Sequence, residues 1–138
     1  MKIMIDTNVI LDVLILRQPF YEDSRKTLEM CEKKIVQGFI TASSVTDIFY
    51  LVRKTLHNTE EAYRCLGALL DILKILPVTN ENVISAFTVK ANDFEDCLLA
   101  VCAKANDCTH IVTRNKKDFK GFGISVLSPY EAISIFQN

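Results

Sequence analysis

Acidic residues occur in this sequence at places where a buried side chain would be expected. Asp6 comes directly after the apolar run at 3–5, which predicts a short buried strand. Asp47 lies within SVTDIFYLV, where apolar residues cover nearly every direction around a predicted helix. A carboxylate that cannot reach water needs a partner or a cation, or it takes up a proton. Asp6 could instead cap the following helix, whereas a cap does not account for Asp47.

A third acidic stretch, NDFEDCLLAVCAKA at 92–105, combines two acids with a predicted helix. Asp93 and Asp96 are three residues apart and share a helix face, whereas Glu95 is turned about 100° away. Asp93 as N-cap with Asp96 in the first turn would also make a favourable helix start. The capping and functional interpretations are compatible.

The fourth stretch, HIVTRNKKDF at 110–119, predicts a strand that ends at Thr113 and then a polar, basic turn. Asn115 and Asp118 lie in this turn. Taken alone, it is an ordinary loop.

Together the four stretches predict a site for a hard divalent cation. Carboxylates that gather in one place repel one another unless a cation lies between them. The two histidines, His57 and His110, are far apart in sequence and show no zinc-ligand spacing. Ligation by oxygen alone favours Mg²⁺ or Mn²⁺, which suit the hydrolysis of phosphodiesters.

The composition is typical of a globular protein and excludes several other classes. The net charge is −1, so the molecule as a whole is not a polycation. The five cysteines form no C-x-x-C pair, which favours reduced thiols. No apolar run approaches the length of a membrane span, and MKIMID does not read as a secretory signal. We expect a cytoplasmic protein with one domain over residues 1–138.

Short apolar strands alternate with helical segments, which predicts an α/β fold around a parallel sheet. The Gly at 38 is expected to end the second helix, and Ser43 or Ser44 to cap the third. Strands are predicted at 2–5, 39–42, 74–78, 109–114 and 124–127, and helices at 8–16, 20–36, 43–56, 59–74, 80–87, 93–106 and 128–136.

Four blocks of the sequence resemble the PIN (PilT N-terminus) domain family in their order and spacing. They are IDTNVILDVL, SSVTDIFYLVRK, DFEDCLLAVCAKA and IVTRNKKDF. The stretch RQPFYEDS at 17–24 is similar to the PIN_3 branch of small prokaryotic, VapC-like proteins. The resemblance implies a three-layer α/β/α sandwich with a central parallel sheet. It also implies a Mg²⁺- or Mn²⁺-dependent ribonuclease, the toxin of a toxin–antitoxin pair, that forms a homodimer.

The resemblance also implies a role for each polar residue of the four blocks. The metal ligands and catalytic acids would be Asp6, Asp47 and Asp96. Many members carry a fourth acid where this chain has Asn115, and Asp118 could reach the site from the same loop. The supporting residues would be Asn8, Asp93, Thr113, Asn115 and Asp118, and the RNA backbone would be steered by Arg114, Lys116 and Lys117.

Two other functions remain open. A receiver-like phospho-acceptor module also gathers acids at strand ends, but here Asp47 and Asp96 lie on predicted helices. A catalytically weak PIN fold that binds RNA or a protein partner without cutting is favoured by Asn115, since this residue leaves the site one acid short.

Overall fold

The computed structural model describes residues 1–137 and contains five parallel strands. They are β1 (Lys2–Ile5), β2 (Gln37–Thr41), β3 (Lys74–Leu76), β4 (His110–Val112) and β5 (Ser125–Leu127). Seven helices and a short 3₁₀ helix connect and cover them. They are α1 (Thr7–Leu14), α2 (Tyr21–Glu32), α3 (Ala42–Leu56), α4 (Thr59–Ile72), α5 (Asn80–Val89), α6 (Phe94–Ala105), α7 (Pro129–Phe136) and the 3₁₀ turn Lys116–Phe119.

Helices pack on both faces of the sheet, which confirms the predicted three-layer α/β/α sandwich. In β1, Ile3 and Ile5 belong to one apolar core, which includes side chains of α1, α2, α3 and α4. Met4 points to the other core, formed with α5, α6 and Phe119. Successive side chains of a strand face opposite sides of the sheet, so a strand covered on both faces is apolar throughout.

The strand order is β3-β2-β1-β4-β5, with β1 at the centre. The chain winds from β1 through β2 to β3 in one direction, and then returns to place β4 on the other side of β1. The carboxyl ends of β1 and β4 therefore flank the point where the winding reverses, which is where open α/β sheets bind ligands. Asp6 follows β1 at this point, and Thr113 follows β4.

Several helix starts agree with the prediction. Asn58 and Asp93 accept hydrogen bonds from the backbone N–H groups of Glu61 and Asp96, respectively, and so cap α4 and α6. Pro129 occupies the first turn of α7 behind the cap Ser128.

Two details of the predicted elements are wrong. Gly38 lies inside β2 and does not end α2, because α2 already ends at Glu32 and a turn carries the chain into the strand. A Cβ at Gly38 would run into Cys31 and Leu73, so this position needs glycine for close packing. The N-cap of α3 is Thr41, and Ser43 and Ser44 lie in the first turn, where their hydroxyls share hydrogen bonds with the Thr41 hydroxyl.

No helix among residues 1–137 is long and apolar enough to cross a membrane.

Candidate metal and nuclease site

Asp6 is held in place at the carboxyl end of β1. Its side chain is 9% exposed, and Oδ1 accepts a 2.8 Å hydrogen bond from the backbone N–H of Thr7, which makes Asp6 the N-cap of α1. Oδ2 accepts a 2.8 Å bond from the Thr113 hydroxyl across the switch point. Burial raises the pKa of Asp6, and the hydrogen bonds from Thr113 and Thr7 act in the opposite direction. The capping and functional interpretations of Asp6 are thus compatible in one geometry.

The hydroxyl of Thr113 connects the two strand ends. Thr113 is fully buried, and its Oγ1 accepts bonds from the Asn8 side-chain amide at 3.3 Å and from the Asn115 backbone N–H at 3.0 Å. Asn8 Nδ2 also lies 3.3 Å from Asp6 Oδ2. Thr113 and Asn8 are therefore placed to fix the orientation of the Asp6 carboxylate.

The first turn of α6 brings two more acids to this edge of the sheet. Asp93 Oδ1 accepts a 3.0 Å bond from the backbone N–H of Asp96. Partial burial is the largest cause that raises the pKa of Asp96 to about 7. The negative charges of Asp93, Asp6 and Asp118 act in the same direction.

Asp118 reaches the site from the 3₁₀ turn. Burial is the largest cause that raises the pKa of Asp6 and of Asp96, and the negative charge of Asp118 adds to both. Asn115 is exposed, and the hydrogen bond described above uses its backbone N–H. We refer to Asp6, Asp93, Asp96 and Asp118 as the carboxylate cluster.

The structure overturns the expected burial of Asp47. Asp47 is exposed, because α3 buries a narrow face made by Ser44, Ile48 and Val52 and leaves other apolar side chains in solvent. Burial raises the pKa of Glu95, and the negative charges of Asp47, Asp93 and Asp6 add to this effect. Sequence reasoning left Glu95 aside because it is turned away from Asp93 and Asp96.

The donor set of the cluster suits a hard cation, although no ready-made cage is present. Among residues 1–137, no group of three or more His, Cys, Asp or Glu side chains is arranged to hold a metal ion. Mg²⁺ in proteins is usually held by one or two carboxylates and keeps several waters. Burial is the largest cause of the raised pKa of Asp96, and the negative charges of Asp93, Asp6 and Asp118 add to it, so a cation bound beside Asp96 would favour its ionised form.

The three basic residues expected to steer RNA differ in their surroundings. Lys116 forms a 2.7 Å ion pair with Glu131, and Arg114 forms one with Asp12. Lys117 is exposed and borders an open depression of about 340 Å³, whose walls also include Asp93, Asp118 and Lys120. The depression therefore combines two carboxylates with two lysines, a set of side chains that suits a phosphate bound beside a cation.

Asp12 is a buried acid that sequence reasoning missed. It is 0% exposed, and it accepts hydrogen bonds from Ser24 Oγ at 2.9 Å and from the guanidinium of Arg114. Its signal was present in the sequence, since VILDVL surrounds an acid with apolar residues as SVTDIFYLV does.

The fold and the acids at its switch point agree with a sequence comparison. A protein-family model described as PIN domain matches residues 2–117. The chain belongs to the PIN domain family. No curated protein sequence matches it.

Solved structures similar to this PIN domain show the same fold. FitAcB from Neisseria gonorrhoeae matches with a TM-score of 0.69 and 22% identity, over 93% of this chain and 98% of the other. DNA-bound VapBC from Salmonella typhimurium matches with a TM-score of 0.71 and 18% identity, over 94% and 98%. VapBC2 from Rickettsia felis, bound to a fragment of its promoter, matches with 0.70 and 19% identity, over 93% and 98%.

Proposed function

We propose that this PIN domain is a Mg²⁺- or Mn²⁺-dependent endoribonuclease that acts in the cytoplasm as the toxin of a toxin–antitoxin pair. The observation that carries the proposal is the buried carboxylate of Asp6 at the switch point of the sheet, which accepts a 2.8 Å hydrogen bond from the Thr113 hydroxyl. Burial raises the pKa of Asp6, and the negative charges of Asp118 and Asp93, which line one depression, add to this effect. Membership in the PIN domain family supports the proposal. The chemistry supports it too, since oxygen ligands hold the cations that assist phosphodiester hydrolysis.

The proposal assigns a role to each acid of the site. Asp6 and Asp96 would hold the ion, with Asp93 and Asp118 adding negative charge, and Asp47 stays a prediction as a third ligand. When bound, the ion supplies positive charge that polarises the phosphodiester and lowers the pKa of water. The Thr113 hydroxyl donates a hydrogen bond to Asp6 Oδ2, which keeps that carboxylate oriented.

The lysines of the depression would receive the RNA. Lys117 and Lys120 line the same depression as Asp93 and Asp118, so a phosphate bound by the lysines would lie near these acids. Charges on exposed lysines act mainly on affinity and on its dependence on salt.

The test is an RNA cleavage assay with Mn²⁺, Mg²⁺ or EDTA. We expect cleavage with either ion, none with EDTA, and a loss of at least about 100-fold in Asp6→Asn and Asp96→Asn, because each removes a charged ligand. Asp71→Asn is the matched control, since this exposed acid on α4 precedes β3 and lies near the opposite edge of the sheet. Full activity of Asp6→Asn would rule out the proposed site, and RNA binding without cleavage would favour the catalytically weak alternative.

The proposed partners are an antitoxin and a second copy of the chain. The similar structures from Salmonella typhimurium and Rickettsia felis are described as VapBC complexes bound to DNA. The homodimer is tested by light scattering of the purified chain, where a mass near 15.6 kDa would contradict it. A small DNA-binding protein encoded in the neighbouring reading frame would support the antitoxin.

A further inference from the structure

We propose that Asp12 and Arg114 are positioning residues whose ion pair fastens the loop after β4 to helix α1. The pair would thereby set the positions of Thr113 and Asp118 relative to Asp6. This inference rests on the proposed function only where activity is measured.

The pair is built into the protein interior. Arg114 Nε donates to Asp12 Oδ2 at 2.7 Å, and Nη2 donates to Oδ1 at 3.0 Å, so the contact is bidentate. Ser24 Oγ donates to the same carboxylate at 2.9 Å, and Arg17 Nε lies 4.0 Å away from it. Asp12 is 0% exposed, and the Arg114 side chain is 21% exposed. A paired charge this far from water tolerates little displacement.

The loop is anchored to α1 at two points. Asn8 and Asp12 are one helical turn apart and so lie on the same face of α1. The backbone N–H of Arg114 donates to Asn8 Oδ1 at 3.3 Å, while its guanidinium binds Asp12. One residue of the loop is therefore held at both its backbone and its side-chain end.

The anchored residue lies between two groups of the site. Thr113 precedes Arg114 and donates to Asp6 Oδ2, and the N–H of Asn115 follows it and donates to the Thr113 hydroxyl. The 3₁₀ turn with Asp118 begins directly afterwards, where the N–H of Asp118 donates to the Asn115 carbonyl. A shift of Arg114 would therefore move both the Thr113 hydroxyl that binds Asp6 and the turn that carries Asp118.

The same geometry argues against Arg114 as a contact for RNA phosphate. Two of its donors are used by Asp12, and the guanidinium carbon lies 3.8 Å from the centre of the Phe20 ring, which covers one face. Lys117, in contrast, is exposed beside the depression at the acids. A group that is both paired and stacked is poorly available to substrate.

Replacement of Arg114 by lysine distinguishes a positioning role from a contact with RNA phosphate. Arg114→Lys keeps a positive charge for a phosphate and loses the bidentate fork that holds Asp12. We expect kcat for RNA cleavage to fall about tenfold or more with little change in KM, because the acids are misplaced while the RNA still binds. Arg25→Lys is the matched control, since Arg25 makes its ion pairs on the surface of α2.

Amide hydrogen exchange supplies a readout that needs no activity. In Arg114→Lys, we expect the N–H groups of Arg114 and Asn115 to exchange roughly tenfold faster, while those of β4 keep their rates. If Arg114→Lys folds poorly, the double variant Asp12→Asn with Arg114→Gln takes its place, because it leaves no unpaired charge buried. We expect the amides of the loop to exchange more slowly in this double variant than in either single variant.

The salt dependence of RNA binding completes the test. Binding of a labelled single-stranded RNA of mixed sequence is measured in EDTA at several salt concentrations. Arg114→Gln should leave the slope of the logarithm of the binding constant against the logarithm of the salt concentration unchanged. Lys117→Gln should reduce that slope by about 0.7, the value for one phosphate contact. A reduced slope in Arg114→Gln, or unchanged exchange in Arg114→Lys, would overturn the positioning role. If the wild-type chain cuts no RNA, the proposed function fails while the exchange experiment still decides this inference.

Discussion

At the scale of single residues, burial and repulsion between carboxylates act together on Asp96 of the carboxylate cluster. Burial of Asp96 is the larger cause that raises its pKa to about 7. The negative charges of Asp93, Asp6 and Asp118 add to this effect. Near neutral pH the folded protein therefore contains both the protonated and the ionised form of Asp96. If Asp96 is a metal ligand as we propose, a divalent cation would compete with this proton for the same carboxylate.

The raised pKa of Asp96 predicts a specific pH dependence of stability. Its folded pKa of about 7 exceeds the ordinary value of 3.8, so its contribution to stability is complete below about pH 4 and is lost as the pH rises towards 7. Without divalent cations, we expect Asp96→Asn to reduce the fall in free energy of unfolding across this window. Urea titrations in EDTA at several pH values measure it, and a profile unchanged from wild type would contradict the raised pKa.

Thr113 is the second residue whose contribution to the free energy of unfolding can be measured. Thr113→Val keeps the shape of this fully buried side chain and removes the hydroxyl that Asp6, Asn8 and Asn115 share. We expect a loss of about 1–3 kcal/mol in the free energy of unfolding, because buried polar groups are left unsatisfied. Thr113→Ser retains the hydroxyl and should cost less; equal losses in both variants would point to packing as the cause.

At the scale of elements, the face that a helix buries decides which of its residues can serve the site. The sequence of α3 is apolar around most of its circumference, yet Tyr50, Leu51 and Leu56 are exposed. Apolar residues are frequent on protein surfaces, so the pattern does not identify the buried face when most positions are apolar. Asp47 therefore lies in solvent although its sequence neighbours are hydrophobic.

The packing of α2 against β2 yields a prediction with an internal control. Gly38→Ala would place a methyl group against Cys31 and Leu73, and we expect it to destabilise the protein by about 1–3 kcal/mol. Gly67→Ala, on the exposed side of α4 with open space around it, is expected to stabilise by up to about 1 kcal/mol because alanine favours helices. Urea denaturation of both variants measures the contrast, and a similar sign for the two would refute it.

At the scale of the whole molecule, the cation binding that we propose would link the site to global stability. We expect Mg²⁺ or Mn²⁺ at pH 7.5 to raise Tm by an amount that grows with the logarithm of concentration once the site is saturated. Asp6→Asn should remove this dependence, because the substitution removes a proposed ligand. Differential scanning calorimetry provides the measurement, and an equal rise in Asp6→Asn would indicate that the ions bind elsewhere.

The order of strands and helices, and several of their ends, could be predicted from the sequence. Apolar periodicity and capping residues act over a few neighbouring positions, so Asn58, Asp93 and Pro129 mark helix starts without help from the rest of the chain. The position of Asp6 at a strand end follows from the same local signals. The family resemblance extended this prediction to the three-layer sandwich.

The sequence by itself thus determined the elements, the parallel α/β class and the acids that lie at their ends, because local interactions specify these features. Only the tertiary structure decided that Asp47 faces solvent, that Gly38 packs inside β2, and that Asp12 holds Arg114. The last two residues are 102 positions apart, and their contact exists because β4 lies beside β1 in the sheet. Which strands become neighbours depends on the packing of the whole chain, and no single segment carries that information.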